Sequence, residues 1–332
     1  MTRIADGSAI ADGLKGRSLL TLLECSPAEV ELILDVAADL KREKREGVYP
    51  ERLRHRNVAL IFLKPSARTR MAFVVAASDE GAHLEDFPAE HIRFGVKESV
   101  RDIARLTGRL FDGIAFRGFD HALAEELAEH AGVPVWNGLT DLYHPTQVLA
   151  DLLTMRESFG ELDGLPVGYV GDGRNNLARS LAIGAAKTGL DLRILAPKEL
   201  QPPRAEMDEI LASEPDGGTV LATSRPEEAL SGAAIVYGDV WVSMGEEGVL
   251  EERIRLLRDY RVTPELMALT GRSDTVYLHC LPAFHDLETE FAREHPDVRE
   301  VSDEVFEGPQ SRVFDLAENR MHTIKALMLL TI

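Results

Sequence analysis

Apolar residues along the chain follow two spacings. Continuous runs occupy 58–62, 112–118 and 133–138, and later 166–170, 192–196, 220–223, 234–237 and 276–278. Short apolar runs bounded by turn residues read as strands buried on both faces of a parallel sheet. Between them the spacing changes to the helical one, over 98–110 and 121–131. An earlier helix starts at Ser26-Pro27-Ala28-Glu29, where Ser26 caps, Pro27 suits the first helical position and Glu29 completes a capping box. Val30, Ile33, Leu34, Ala37 and Leu40 line its apolar face, and Lys41-Arg42-Glu43-Lys44-Arg45 makes a solvated end.

Strand–helix alternation predicts α/β architecture, a parallel sheet with helices on both faces. A second alternation begins after Gly160-Glu161-Leu162-Asp163-Gly164, and Pro145 opens a helix over 148–157. We therefore divide the chain into two such domains, 1–147 and 148–318. The apolar closing helix, within 319–332, is expected to pack back on the first.

The turn after the first strand carries the densest chemistry. Ser66-Ala67-Arg68-Thr69-Arg70 offers hydroxyls, guanidinium groups and the free N–H groups of a starting helix. Those donors suit a phosphate, although the same residues also make an ordinary helix cap with solvated arginines. Other polar residues recur just beyond strand ends: Arg117, Asn175-Asn176, Asp239 and Cys280. Ligands of open parallel sheets bind there, so the set outlines one cleft between two domains.

Charge changes the picture. With 37 basic and 56 acidic residues the formal charge is −19, which argues against nucleic-acid or anionic-membrane partners. An anionic substrate then needs a local basic pocket. No run reaches transmembrane length, and two cysteines, Cys25 and Cys280, build no disulfide framework and fit a reducing cytoplasm.

Gly171-Asp172-Gly173-Arg174-Asn175-Asn176 starts like a dinucleotide fingerprint, but Asn176 takes the third glycine's place. The next strand also ends without an acid for a ribose. Consecutive amides at a helix start suit an amino acid's carboxylate better. His279, next to Cys280, points to the opposite face and reads as structural. His279, Cys280 and His285 lack paired ligand spacing, so no metal is expected.

With these pieces assembled, the chain resembles the ornithine carbamoyltransferases nearly end to end. The matching segments are Ser66-Ala67-Arg68-Thr69-Arg70, Gly95-Val96-Lys97-Glu98-Ser99, Phe116-Arg117-Gly118 and His144-Pro145-Thr146-Gln147. They continue with Asp239-Val240-Trp241-Val242-Ser243-Met244-Gly245, His279-Cys280-Leu281-Pro282 and Glu318-Asn319-Arg320-Met321-His322. The resemblance implies transfer of a carbamoyl group from carbamoyl phosphate to L-ornithine, without cofactor, in a cytoplasmic homotrimer or assembly of trimers.

It also implies roles. Ser66, Ala67, Arg68 and Thr69 would hold the phosphate, with Arg93, Lys97, Cys280, Leu281 and Arg320 completing the carbamoyl-phosphate set. Arg117 and His144 would donate to the carbamoyl oxygen, and Gln147 would bind its amide. Asn176, Ser243 and Met244 would take the α-amino acid end of ornithine. Asp239 and Cys280 would meet its side-chain amine, whose lysine-like pKa of about 10.4 keeps it protonated at neutral pH.

Two positions depart from the family pattern. Ala67 replaces a threonine, and Arg93 stands where a glutamine is usual. Phe87-Pro88-Ala89-Glu90-His91-Ile92-Arg93-Phe94-Gly95, with Phe62-Leu63-Lys64-Pro65-Ser66, resembles the phaseolotoxin-insensitive branch. The expectation is an altered phosphate pocket that rejects a bisubstrate-mimicking toxin. The alternatives are an ordinary ornithine enzyme, a carbamoyltransferase for another amine, and a binding paralogue without turnover.

Overall fold

The computed structural model describes residues 9–88, 92, 94–242 and 247–332. The chain forms two compact units, Met1–Leu153 with Glu318–Ile332, and Thr154–Ala317.

The sheet of the first unit has four parallel strands: β1 (Asn57–Phe62), β2 (His83–Pro88), β3 (Gly113–Arg117) and β4 (Val135–Leu139). Their spatial order is β2-β1-β3-β4. The chain thus leaves β1 in one direction and β3 in the other, which opens a crevice at their carboxyl ends. β1 and β3 are buried along nearly their whole length, as parallel strands covered on both faces must be. Ala59, Ile61, Ile114, Phe116 and Leu127 lie at the centre of one core.

Helices follow most of their sequence signals, except that Lys41, expected in a solvated end, is buried and donates to Asn319 Oδ1 at 2.8 Å. The helix Pro27–Arg45 has the expected capping box at Ser26 and Glu29. Helix Val100–Leu110 meets His121–Ala131 so closely at Gly108 that a Cβ there would lie 1.8 Å from the Ala131 carbonyl oxygen. The last helix, Val313–Thr331, starts earlier than its apolar pattern suggests. Its end anchors to β4, with Trp136 Nε1 donating to Thr331 Oγ1 at 3.0 Å.

In the second unit the strands are β5 (Pro166–Val170), β6 (Asp191–Leu195), β7 (Thr219–Thr223), β8 (Ile235–Gly238) and β9 (Val276–His279). All pairs are parallel, in the order β7-β6-β5-β8-β9. The reversal falls between β5 and β8. Val170, Val236, Tyr277 and Phe306 share a core with Leu230 and Val301. Among the described residues, no helix is long and apolar enough to cross a membrane.

Candidate active site

In the first unit the reversal point gathers one cationic group. β1 ends at Phe62, and the chain turns into helix Ala67–Asp79 with Ser66 as its cap, the Oγ accepting from Thr69 N–H at 3.3 Å. That cap stands at the positive end of the helix dipole. Thr69 is fully buried. Its Oγ1 accepts from Arg320 Nη2 at 2.6 Å and from Arg117 Nη1 at 3.3 Å. Arg117 stands at the end of β3, where the register with β4 shifts, and also donates to the Gly138 carbonyl at 3.2 Å.

His144 precedes helix Pro145–Phe159 and is buried. Burial first, then the charges of Arg320, Arg117, Arg68 and Lys64, hold its pKa well below the usual imidazole value. A neutral imidazole can donate a hydrogen bond without adding charge. Gln147 is fully buried; its Nε2 donates to Asp151 Oδ1 at 2.9 Å, and its Oε1 has no partner among the described residues. A buried carbonyl without a donor is costly and suits an N–H supplied by a ligand.

Arg70 stands apart from this set. Its guanidinium pairs with Asp86 on β2 at 3.2 Å and lies over the Phe62 ring, so it braces the helix against the sheet edge. Ala67 begins the helix and is exposed, and Lys97 lies exposed in the turn between Phe94 and Glu98. Arg93, Ser243 and Met244 lie outside the described residues.

In the second unit the reversal point carries a carboxylate. Asp239 follows β8 and is nearly buried. Its Oδ2 accepts from Tyr169 Oη at 2.9 Å and Asn175 Nδ2 at 2.6 Å. Its Oδ1 accepts from Val240 N–H at 2.8 Å and from Cys280 Sγ at 3.0 Å. Cys280 therefore acts as a thiol donor. Asn175 also caps helix Asn176–Thr188 through Ala178 N–H at 2.8 Å, and Asn176 is that helix's first residue.

Behind Cys280, fully buried His279 accepts from Leu281 N–H on Nδ1 at 3.0 Å, while Nε2 lies 3.2 Å from Glu300 Oε1. Burial pushes the Glu300 carboxyl well up. Leu281 holds φ at +59°, a left-handed value costing about 1–2 kcal/mol for a residue with a Cβ. Its N–H bond to His279 helps fix that turn. It is thus Asn175, not the Asn176 that the resemblance implicates, that meets Asp239, together with Tyr169, to which the sequence assigns no role. Tyrosine within an apolar strand gives no signal until its hydroxyl is seen against Asp239.

Among possible cation ligands, His285, Asp286 and Asp303 bring donor atoms within 4.8 Å of one another. His285 Nδ1 lies 2.7 Å from Asp303 and its ring stacks on Phe306. Cys280 and His279 do not join this group.

Residues 17–157 match the model of the aspartate/ornithine carbamoyltransferase carbamoyl-P binding domain, and residues 163–331 match the Asp/Orn binding domain. The chain is 57% identical over 320 residues to the phaseolotoxin-insensitive ornithine carbamoyltransferase 2 of Pseudomonas syringae pv. actinidiae, covering 96% of this chain and 98% of that one. It is 51% identical to a catabolic ornithine carbamoyltransferase of Bacillus licheniformis, covering 96% and 97%. The solved structure of ornithine carbamoyltransferase from Pyrococcus furiosus is similar with a TM-score of 0.87 at 36% identity, covering 96% of this chain and 97% of that one.

Proposed function

Because this chain belongs to the aspartate/ornithine carbamoyltransferase family, we propose that it joins the carbamoyl group of carbamoyl phosphate to the side-chain amine of L-ornithine. The products are L-citrulline and phosphate. The observation that carries this reading is the convergence of Arg117 and Arg320 on Thr69 beside a neutral, buried His144.

The phosphate would lie on the helix start at Ala67, between Ser66, Arg68 and Thr69, with Arg320 and Lys97 adding charge. Arg117 and His144 donate to the carbonyl oxygen, where negative charge grows as the carbon becomes tetrahedral. Gln147 Oε1 accepts from the carbamoyl amide. The amine nitrogen forms a bond to the carbonyl carbon, the carbon–oxygen bond to phosphate breaks, and the amine's proton passes to the departing phosphate. Asp239 and Cys280 hold the amine, with Asn176, Ser243 and Met244 on the α-amino acid end. Cys280 and Leu281 also border the carbamoyl phosphate, and Arg93 takes the glutamine's place against it. Positioning and charge stabilisation supply the rate.

The purified chain should form citrulline from ornithine in preference to putrescine, aspartate or acetylated ornithine. No citrulline, or equal turnover of these acceptors, would overturn the reading.

The likeness to a phaseolotoxin-insensitive relative, with Ala67 and Arg93, supports a toxin-resistant isoform. A phosphosulfamyl ornithine analogue should inhibit this enzyme at least tenfold less than one carrying Ser-Thr-Arg-Thr at these positions; equal inhibition would exclude it. Met71, Val74 and Val75 form an exposed apolar face on helix Ala67–Asp79, which supports burial between copies in a cytoplasmic homotrimer. Sedimentation as a monomer would refute that.

A further inference from the structure

We propose that Tyr169 and Asn175 are positioning residues for the attacking amine, filling one oxygen of Asp239 so that ornithine reaches only the oxygen held by Cys280. The inference rests on the ornithine-transfer reading above and concerns how this site favours the reactive form of its substrate.

A carboxylate offers about four lone-pair positions. Among the described residues, Asp239 has all of them taken: Tyr169 and Asn175 on Oδ2, Val240 N–H and Cys280 on Oδ1. An incoming amine must therefore displace a donor. Val240 donates from the backbone. Tyr169 is fully buried and stacked on Tyr237. Asn175 is pinned at its other end, because its Oδ1 caps a helix, and its Nδ2 also touches the Tyr169 hydroxyl at 2.9 Å. A thiol is the weakest donor of the set, and Cys280 is only half-buried. The thiol occupies the place the amine takes.

Burial, then the Asp239 charge, push the Tyr169 phenol well up, so it keeps its proton and stays a donor at working pH. The other ionisable groups facing this cluster are Asp172, paired with Arg253 at 2.6 Å, Tyr277, pushed up by burial, Cys280, and Glu300 beside His279.

The consequence concerns a proton. An ammonium gains a charge-assisted bond at each acceptor it meets, and each such bond favours the protonated, unreactive form. With Oδ2 closed, the bound ammonium meets a single oxygen of Asp239. It gives one proton to water more readily, and its lone pair becomes free to attack.

Steady-state kcat and KM for ornithine, measured from pH 6 to 10, test this with wild type, Tyr169→Phe and Asn175→Ser. Serine keeps a helix cap while removing the amide donor. Both variants should move the rising limb of kcat to higher pH by about one unit, the equivalent of one hydrogen bond to a charged group. At neutral pH kcat should fall about tenfold, with KM unchanged or lower. An unmoved pH profile, or a loss of kcat equal at every pH, would overturn the proposal. If Tyr169→Phe fails to fold, Asn175→Ser decides alone. Wild-type citrulline formation in the same assay separately checks the activity.

Discussion

Thr69 Oγ1 and Arg320 Nη2 lie 2.6 Å apart, joining the first turn of one helix to a helix 251 residues later in the chain. Arg117 reaches the same oxygen, so one buried hydroxyl fixes two guanidinium groups that would otherwise repel. Thr69→Val preserves shape and removes that acceptor. Leaving donors of charged groups unpaired costs about 1.5–3 kcal/mol, so kcat/KM for carbamoyl phosphate should fall roughly 10- to 150-fold. Steady-state kinetics with ornithine saturating check this; a change below threefold would mean that Thr69 is only packing.

Arg117 closes β3 and Arg70 lies in the first turn of the helix after β1, and their surroundings differ. Arg117 is buried against Thr69 and Gly138, whereas Arg70 pairs with Asp86 at the sheet edge. Arg117→Ala should lower kcat by about 10²–10³, the scale for losing an oxyanion donor. Arg70→Ala should cost less than about tenfold. Equal losses would show that the carbonyl donor has been misassigned.

These contrasts mark what sequence could carry. Runs of apolar residues disclosed eight of the strands because strands buried on both faces need no alternation. β2 escaped because His83-Leu84-Glu85-Asp86-Phe87-Pro88 is an edge strand with no fully buried residue and an acid on each face. Ser66, Thr69 and Arg117 were legible from their places at strand ends. Convergence of Arg320 on Thr69 followed only from the family resemblance, since no local pattern encodes a contact across the length of the chain. Tyr169 stayed hidden for a related reason: its ring satisfies the apolar pattern while its hydroxyl does the polar work.

The closing helix is held by charge as well as packing. Lys325, almost fully buried, donates to Asp79 at 2.6 Å, and Lys44 meets the same carboxylate oxygen at 2.6 Å. Removing one partner of a buried pair leaves an uncompensated charge, typically costing 3–5 kcal/mol. Asp79→Asn should therefore destabilise the first unit by about 3 kcal/mol, read as a lower urea midpoint with unchanged slope. Wild-type stability would show that the lysines find other partners.

Stability should also fall on the acid side of neutrality, through buried histidines. His322 is fully buried on the last helix. Burial, opposed in part by Glu318 at 3.2 Å, lowers its pKa to about 4, and His144 lies well below its ordinary value. In the unfolded chain both take a proton near pH 6.5, while the native state does not. The unfolded state thus binds more protons between about pH 6.5 and the depressed native values, so stability declines as pH falls through that window. His322 alone accounts for up to about 3 kcal/mol of that decline by pH 4. Urea unfolding at pH 7.5 and pH 5 should show a lower midpoint at pH 5, and His322→Gln should shrink the difference. A variant whose pH dependence matches wild type would show that this histidine is protonated in the native state.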